Sequence, residues 1–416
     1  MNCFALSGGR RLLGEITVQG SKNSALPLIA ACLLNKGKCV IHDCPDLSDV
    51  RAAVDILNCL GCDASFSDGT VICNSSFADK HIIPEYLMHK MRSSVIFLGS
   101  MISTLKKAIL SYPGGCEIGA RPIDIHIESL KKLGVDILEC ENHLTCITNG
   151  IIPERIVLPF PSVGATENIM LVAAVSNGQT IIENAAKEPE IVDLQGFLNS
   201  MGADITGAET GRIIINGVGT LRDTEYKVIP DRIAAATFMC AALATDGEIV
   251  LNNVRCDHLD AVTNALRKSG AKIQENKSWM SIKRGKYFSG IGSLETEVYP
   301  AFPTDAQPAL TACLAVADGK TVLREKIFTD RFRHVPYMNN MGADIKVFGD
   351  TAEINGVSEL KGDMLLAHEL RGGAALVIAG LCAKGQSTVG NINFIDRGYE
   401  SLEKTFRSLG ADIQRI

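Results

Sequence analysis

Reactive residue types are most concentrated between Pro113 and Pro122, in the run Pro-Gly-Gly-Cys-Glu-Ile-Gly-Ala-Arg-Pro. Three glycines and two prolines bracket Cys116 and Arg121. Glycine admits positive φ and close backbone approach, and proline fixes φ, so the run reads as a shaped loop. A thiol beside a guanidinium on such a loop ionises more readily and is held in place. That suits proton transfer or attack on an electrophile. Most of the 14 cysteines read as small apolar core residues. Cys116 is set apart because buried structural cysteines rarely stand between Gly-Gly and Gly-x-Arg-Pro. Cys59-Leu-Gly-Cys62 is a C-x-x-C pair, but it has no second pair at zinc-site spacing and falls at a helix-to-strand turn, so it reads as structural.

A second set of candidates lies where strands run into helices. These junctions are Ser21-Lys22-Asn23, Met91-Arg92-Ser93, Pro161-Ser162-Val163-Gly164, Asp231-Arg232, Pro303-Thr304-Asp305 and Glu369-Leu370-Arg371. Ser, Asn, Asp and Thr cap helix N-termini. Lys22, Arg92, Arg232 and Arg371 do not, since a cation there opposes the helix dipole by ~0.3–1 kcal/mol. Several such cations together point to an anion held jointly by helix ends and side chains.

The elements that position these residues repeat. A small or apolar residue, Gly, a small residue, Asp or Lys, and an apolar residue recur with glycines at 61, 134, 202, 270, 342 and 410. The spacings are 73, 68, 68, 72 and 68 residues, which marks a repeat architecture. Glycine at this point fits the αL position after a helix. In the fourth copy, Asp231 to Ala244 has helical apolar spacing and Gly247 to Val254 reads as a strand. Asp257 to Ser269 is a second helix with Leu259, Val262 and Leu266 on one stripe, and two short strands follow around Lys272 and Trp279. Each copy is thus a βαβαββ unit. The sixth ends early, and residues 3–22 align with 213–231, so the N-terminal strands are expected to complete the last unit. Three units then form one domain over 22–229, and three form a second over 230–416 with 1–21. Threefold pseudosymmetry would gather three helix starts per domain, and two facing domains would bracket a cleft that the Cys116 loop covers as a lid.

Length and composition agree with a two-domain soluble protein: 416 residues, 46% hydrophobic and 21% charged. A net charge of −6 argues against nucleic-acid binding. No apolar run approaches the ~18 residues of a membrane span. The N-terminus lacks a signal-peptide core, and so many cysteines without one imply reduced thiols in a cytoplasm.

The Cys116 loop with Ile123-Asp124-Ile125-His126 resembles the catalytic loop of bacterial UDP-N-acetylglucosamine enolpyruvyl transferases, the 1-carboxyvinyltransferases that open peptidoglycan synthesis. The resemblance extends through Gly20-Ser-Lys22-Asn23, Pro161-Ser-Val-Gly-Ala-Thr-Glu-Asn, Ile182 to Asp193, Pro230-Asp-Arg-Ile, Phe302-Pro-Thr-Asp305, Arg331-Phe-Arg-His-Val-Pro and Ile395-Asp-Arg397-Gly-Tyr-Glu. It implies an α/β fold of two inside-out domains, each of three βαβαββ units. It implies phosphoenolpyruvate and UDP-N-acetylglucosamine as substrates, with no metal or cofactor. Cys116 would protonate C3 of phosphoenolpyruvate and could carry a covalent adduct, and Asp305 would take the proton of the sugar 3-hydroxyl. Lys22, Arg121 and Arg397 would hold the phosphate, and Arg331 and Arg371 the carboxylate region. Asn23 and Asp305 would bind the amino sugar. Arg92, Arg121, Pro122, Ile123, Asp124, Ile125, Ser162, Val163 and Gly164 would line the uridine diphosphate site, with Ile327 nearby.

The chain departs from the family pattern at Glu369, where Asp is frequent, at Pro159-Phe160-Pro161, where some members have a lysine just before Ser-Val-Gly, and at Gly372-Gly373. The sister enzyme acting on shikimate 3-phosphate shares the fold and donor but does not rely on a Pro-Gly-Gly-Cys loop. A non-catalytic sugar-nucleotide-binding relative would be supported only by Glu369, and Cys116, Asp305, Arg121 and Arg397 oppose it.

Overall fold

The computed structural model describes residues 2–112 and 123–416. These fall into two compact units, one of residues 20–112 with 123–229 and one of residues 2–19 with 230–416.

Each unit is built around helices that are apolar on every side. In the first, Lys22–Ala31, Phe97–Leu105 and Val163–Ala173 occupy the interior. Leu28, Ile29, Leu98, Met101, Ile169 and Leu171 have no exposed surface. In the second unit, Arg232–Ala244, Gln307–Leu314 and Leu370–Cys382 pack against one another pairwise. Runs such as Ala234-Ala-Ala-Thr and Ala374-Ala-Leu-Val leave so little side chain that helix axes can approach closely. A helix buried all round needs neighbours on every face, and the sheets supply them. Helices therefore lie inside and sheets outside.

There are six four-stranded sheets among the described residues. In the second of them Ile82–Ile83 pairs parallel with Lys107–Ser111, which pairs antiparallel with His143–Ile147, and that with Asp136–Glu139. The other five repeat this pattern. Before the closing hairpin of each, an outer helix ends on a repeat glycine. Gly61, Gly134, Gly202, Gly270, Gly342 and Gly410 have φ of 96°, 80°, 99°, 100°, 99° and 91°. In five copies the next residue donates to the carbonyl five positions back, as in Cys62 N to Leu57 O at 3.0 Å and Ala343 N to Met338 O at 3.1 Å. That is the Schellman closure, and any residue with a Cβ would be strained there.

The N-terminal strands divide. Cys3–Ser7 lies between Gln386–Gly390 and Asp412–Arg415 and completes the sixth sheet. Leu13–Thr17 does not join it. It pairs parallel with Glu248–Asn252 of the fourth. Correspondingly, Thr224–Lys227 pairs parallel with Lys38–His42 of the first. The expectation that both strands complete the last unit is therefore corrected for the second of them. The strand before each crossing of the chain pairs within the unit it is leaving, so its edge hydrogen bonds are satisfied before the next helix begins.

Candidate active site

In the unit of residues 230–416, the starts of the central helices carry the polar residues. Asp231 caps Arg232–Ala244, accepting from Ile233 N at 2.9 Å and Ala234 N at 3.0 Å. A 3-10 turn, Thr304–Ala306, presents Asp305 and runs into Gln307–Leu314. Glu369 caps Leu370–Cys382 through Arg371 N at 2.7 Å and through Gly372 N. Asp305 joins two of these starts. One carboxylate oxygen accepts from Arg331 Nη2 at 2.7 Å and the other from Arg371 Nη2 at 3.4 Å. Arg331 Nη1 stands 3.7 Å from Glu369 Oε2.

Both guanidinium groups are buried, Arg331 to 2% exposure and Arg371 to 3%. Removing such a charge from water costs several kcal/mol and must be offset by partners. Two carboxylates offset two cations here. Arg371 also lies over the Tyr399 ring, 5.3 Å from its centroid, and Arg331 over Phe328 at 5.7 Å. Tyr399 is fixed by Thr237, hydroxyl to hydroxyl, at 2.8 Å. Burial works against the charge on Arg371, but Tyr399, Asp305 and Asp231 outweigh it and raise its pKa. Among the described residues, Nε of Arg331 and Nε and Nη1 of Arg371 have no hydrogen-bond partner. Those three nitrogens are buried donors whose capacity the described residues leave unmet.

Three more residues stand on neighbouring elements of the same unit. Glu325, 2% exposed, accepts from Ile327 N at 2.9 Å and from Thr304 Oγ1 at 3.0 Å, so it ties the Ile327 segment to the turn carrying Asp305. His334 is buried, and burial together with the Arg331 charge lowers its pKa to about 3. Arg397 ends the 3-10 turn Ile395–Arg397, which packs on Leu370–Cys382. Its neighbour Asp396 is gripped by Arg415 at 2.6 and 2.8 Å.

In the unit of residues 20–229, Lys22 is the first residue of its helix. Its Nζ lies 2.6 Å from Asp49 Oδ2, both groups buried. Ser21 caps that helix and Asn23, next to Lys22, is exposed. Ile123, Asp124 and Ile125 begin the helix Asp124–Lys132, and Ser162 caps the helix that begins Val163-Gly164. His126 joins these two starts. Its Nδ1 is 2.9 Å from Asn168 Nδ2, and a Cβ at position 164 would lie 2.9 Å from its Cε1. Burial lowers the His126 pKa to about 4 against a small opposing effect of Asp124. Cys116, Arg121 and Pro122 lie outside the described residues, as does the side chain of Arg92.

The structure thus groups Asp305, Arg331 and Arg371, with Ile327 linked through Glu325, and separately groups Ile123–Ile125 with Ser162–Gly164. Asp49, Glu325, His126 and His334 were not anticipated as supporting residues. Asp49 reads in the sequence as an ordinary first-turn acid of an amphipathic helix, and only the partner at Lys22 distinguishes it. Among the described residues no group of three or more His, Cys, Asp or Glu is arranged to hold a metal ion, and no helix is long and apolar enough to cross a membrane.

A family model described as EPSP synthase (3-phosphoshikimate 1-carboxyvinyltransferase) matches residues 6–406. The chain is 48% identical, over the whole of both chains, to UDP-N-acetylglucosamine 1-carboxyvinyltransferase 2 of Caldanaerobacter subterraneus subsp. tengcongensis. It is 41% identical, again end to end, to UDP-N-acetylglucosamine 1-carboxyvinyltransferase of Idiomarina loihiensis. Among solved structures, the enolpyruvyl transferase NikO from Streptomyces tendae superposes with a TM-score of 0.91 at 24% identity, covering 100% of this chain and 98% of that one. EPSP synthase from Acinetobacter baumannii gives 0.78 at 20% identity, with both chains fully covered. These structural likenesses bear on the fold, which is the two-domain inside-out α/β architecture.

Proposed function

The chain belongs to the EPSP synthase family, and on that footing we propose that it transfers the enolpyruvyl group of phosphoenolpyruvate to the 3-hydroxyl of UDP-N-acetylglucosamine, releasing phosphate, in the first committed step of peptidoglycan synthesis. The observation that carries this reading is end-to-end likeness to relatives named for that acceptor. The paired guanidinium groups on Asp305 supply chemistry that fits it.

The proposed course is addition followed by elimination. Arg331 and Arg371 take the carboxylate of phosphoenolpyruvate through their unused donors, while Lys22, Arg121 and Arg397 hold its phosphate. Cys116 donates a proton to C3, leaving C2 electron-poor. The sugar 3-oxygen adds to C2 as Asp305 takes its proton, giving a tetrahedral ketal. Return of a C3 proton to the Cys116 thiolate and cleavage of the C2–O bond to phosphate then yield the enol ether and inorganic phosphate. Asn23 contacts the sugar. Ile123–Ile125, Ser162–Gly164, Arg92, Pro122 and Ile327 border the uridine diphosphate. A cytoplasmic site of action fits this substrate pair and the reading of the cysteines as reduced thiols.

Phosphate release from phosphoenolpyruvate by the full chain tests this reading. Release should depend on UDP-N-acetylglucosamine. Release driven by shikimate 3-phosphate instead, or by neither acceptor, would overturn it.

A further inference from the structure

Four central helices have a side-chain N-cap among the described residues, and three of the caps are short. Ser21 reaches Ser24 N at 3.3 Å, Ser162 reaches Ala165 N at 3.3 Å, and Asp231 reaches Ala234 N at 3.0 Å. In each case the residue three positions after the cap carries a Cβ. The fourth cap is Glu369, one methylene longer, and the residue three positions after it is Gly372. A Cβ built at Gly372 would lie 2.7 Å from Glu369 Oε1 and 3.3 Å from His334 Cβ. The first separation is shorter than real Cβ contacts show, so a side chain at 372 would displace the end of the Glu369 carboxylate from its present position.

The longer arm has a consequence. Glutamate is an uncommon cap because its carboxylate overshoots the first-turn N–H groups. Here it curls back over the bare position. One oxygen is left to bond Gly372 N, and the other both accepts from Arg371 N at 2.7 Å and stands 3.7 Å from Arg331 Nη1. A single buried carboxylate thus touches the backbone that presents Arg371 and the guanidinium of Arg331.

We propose that Glu369 and Gly372 are a coupled positioning pair: the absence of a side chain at 372 lets the Glu369 carboxylate set Arg331 and Arg371 jointly for the carboxylate-bearing donor. This deepens the proposed reaction and rests on it for the identity of the donor. Glu369 is a positioning residue, acting through the two arginines.

A double-mutant cycle tests the pair, using Gly372→Ala, Glu369→Asp and the double variant in the full-length protein. Gly372→Ala should raise KM for phosphoenolpyruvate about tenfold while kcat and KM for UDP-N-acetylglucosamine stay within about threefold. Adding Glu369→Asp, the short cap that tolerates a Cβ elsewhere in the molecule, should bring KM back to within about threefold of wild type. Glu369→Asp alone should raise KM about threefold, because it surrenders the Arg331 contact. Thermal melting supplies a readout independent of turnover. Gly372→Ala should lower Tm, and the double variant should recover most of the loss. Effects that simply multiply in KM and add in Tm, or a Gly372→Ala variant with wild-type values, would overturn the coupling. Should the wild type fail to turn over these substrates, the proposed reaction falls while the melting cycle still decides the pair.

Discussion

Asp305 holds two buried guanidinium groups that would otherwise stand in a medium where an unpaired charge costs several kcal/mol. A residue so placed serves structure directly, and under the proposed reaction the Asp305–Arg331–Arg371 cluster would serve reactivity as well. The buried histidines show the same economy with the opposite charge preference. His334 and His126 are kept neutral, their pKa values lowered to about 3 and about 4, chiefly by burial. An unfolded histidine titrates near 6.5. Below that pH the unfolded chain binds a proton that the folded chain refuses, so each histidine's contribution is intact above pH 6.5. It is lost as pH falls toward the folded value, at roughly 1.4 kcal/mol per pH unit. Replacing His126 with Asn should therefore cut the stability lost between pH 7 and pH 5 by about 2 kcal/mol relative to wild type. Urea denaturation at the two pH values measures this, and an unchanged loss would contradict the assignment. In the sequence the cations at helix starts were readable, because each stands where the dipole disfavours it. Their partners were not: Asp305 and Arg371 are 66 residues apart, and nothing local in either stretch names the other.

At the scale of elements, helix starts are anchored from behind by residues outside the reacting set. Asp193, on the helix Pro189–Ser200, is 4% exposed. It accepts from Ser24 Oγ, from Tyr226 OH at 2.8 Å and from Ile229 N at 3.4 Å. It therefore ties the helix that begins with Lys22 and Asn23 to the strand Thr224–Lys227 and the segment leaving the unit. Burial raises its pKa, and the three donors oppose that rise. Asp193→Ala leaves those buried donors without an acceptor and should destabilise the fold by about 3 kcal/mol. A change below about 0.5 kcal/mol in denaturant titration would show that the anchor is dispensable. The outer helices were legible from the sequence through their terminal glycines, since αL geometry at 61, 134, 202, 270, 342 and 410 admits little else. The all-apolar central helices were legible as helices, but their threefold packing had to be inferred from the repeat count.

Across the whole chain, six copies of one unit were readable because a fixed glycine recurs at nearly fixed spacing. The destination of Leu13–Thr17 was not. A strand's own residues state that it pairs, not which of six equivalent edges it joins. The long glutamate cap at 369 was visible as a departure from the family pattern, whereas the bare position that accommodates it emerged only from the packing around Gly372. What unites these observations is the claim that buried arginines on Asp305 form the reacting centre. The most direct measurement is single-turnover formation of phosphate by Asp305→Ala with both substrates saturating, beside its affinity for UDP-N-acetylglucosamine. Loss of the proton acceptor should slow the step by about 10²–10⁴-fold, with affinity within about tenfold of wild type, or ~1.4 kcal/mol. A single-turnover rate within threefold of wild type would contradict the claim.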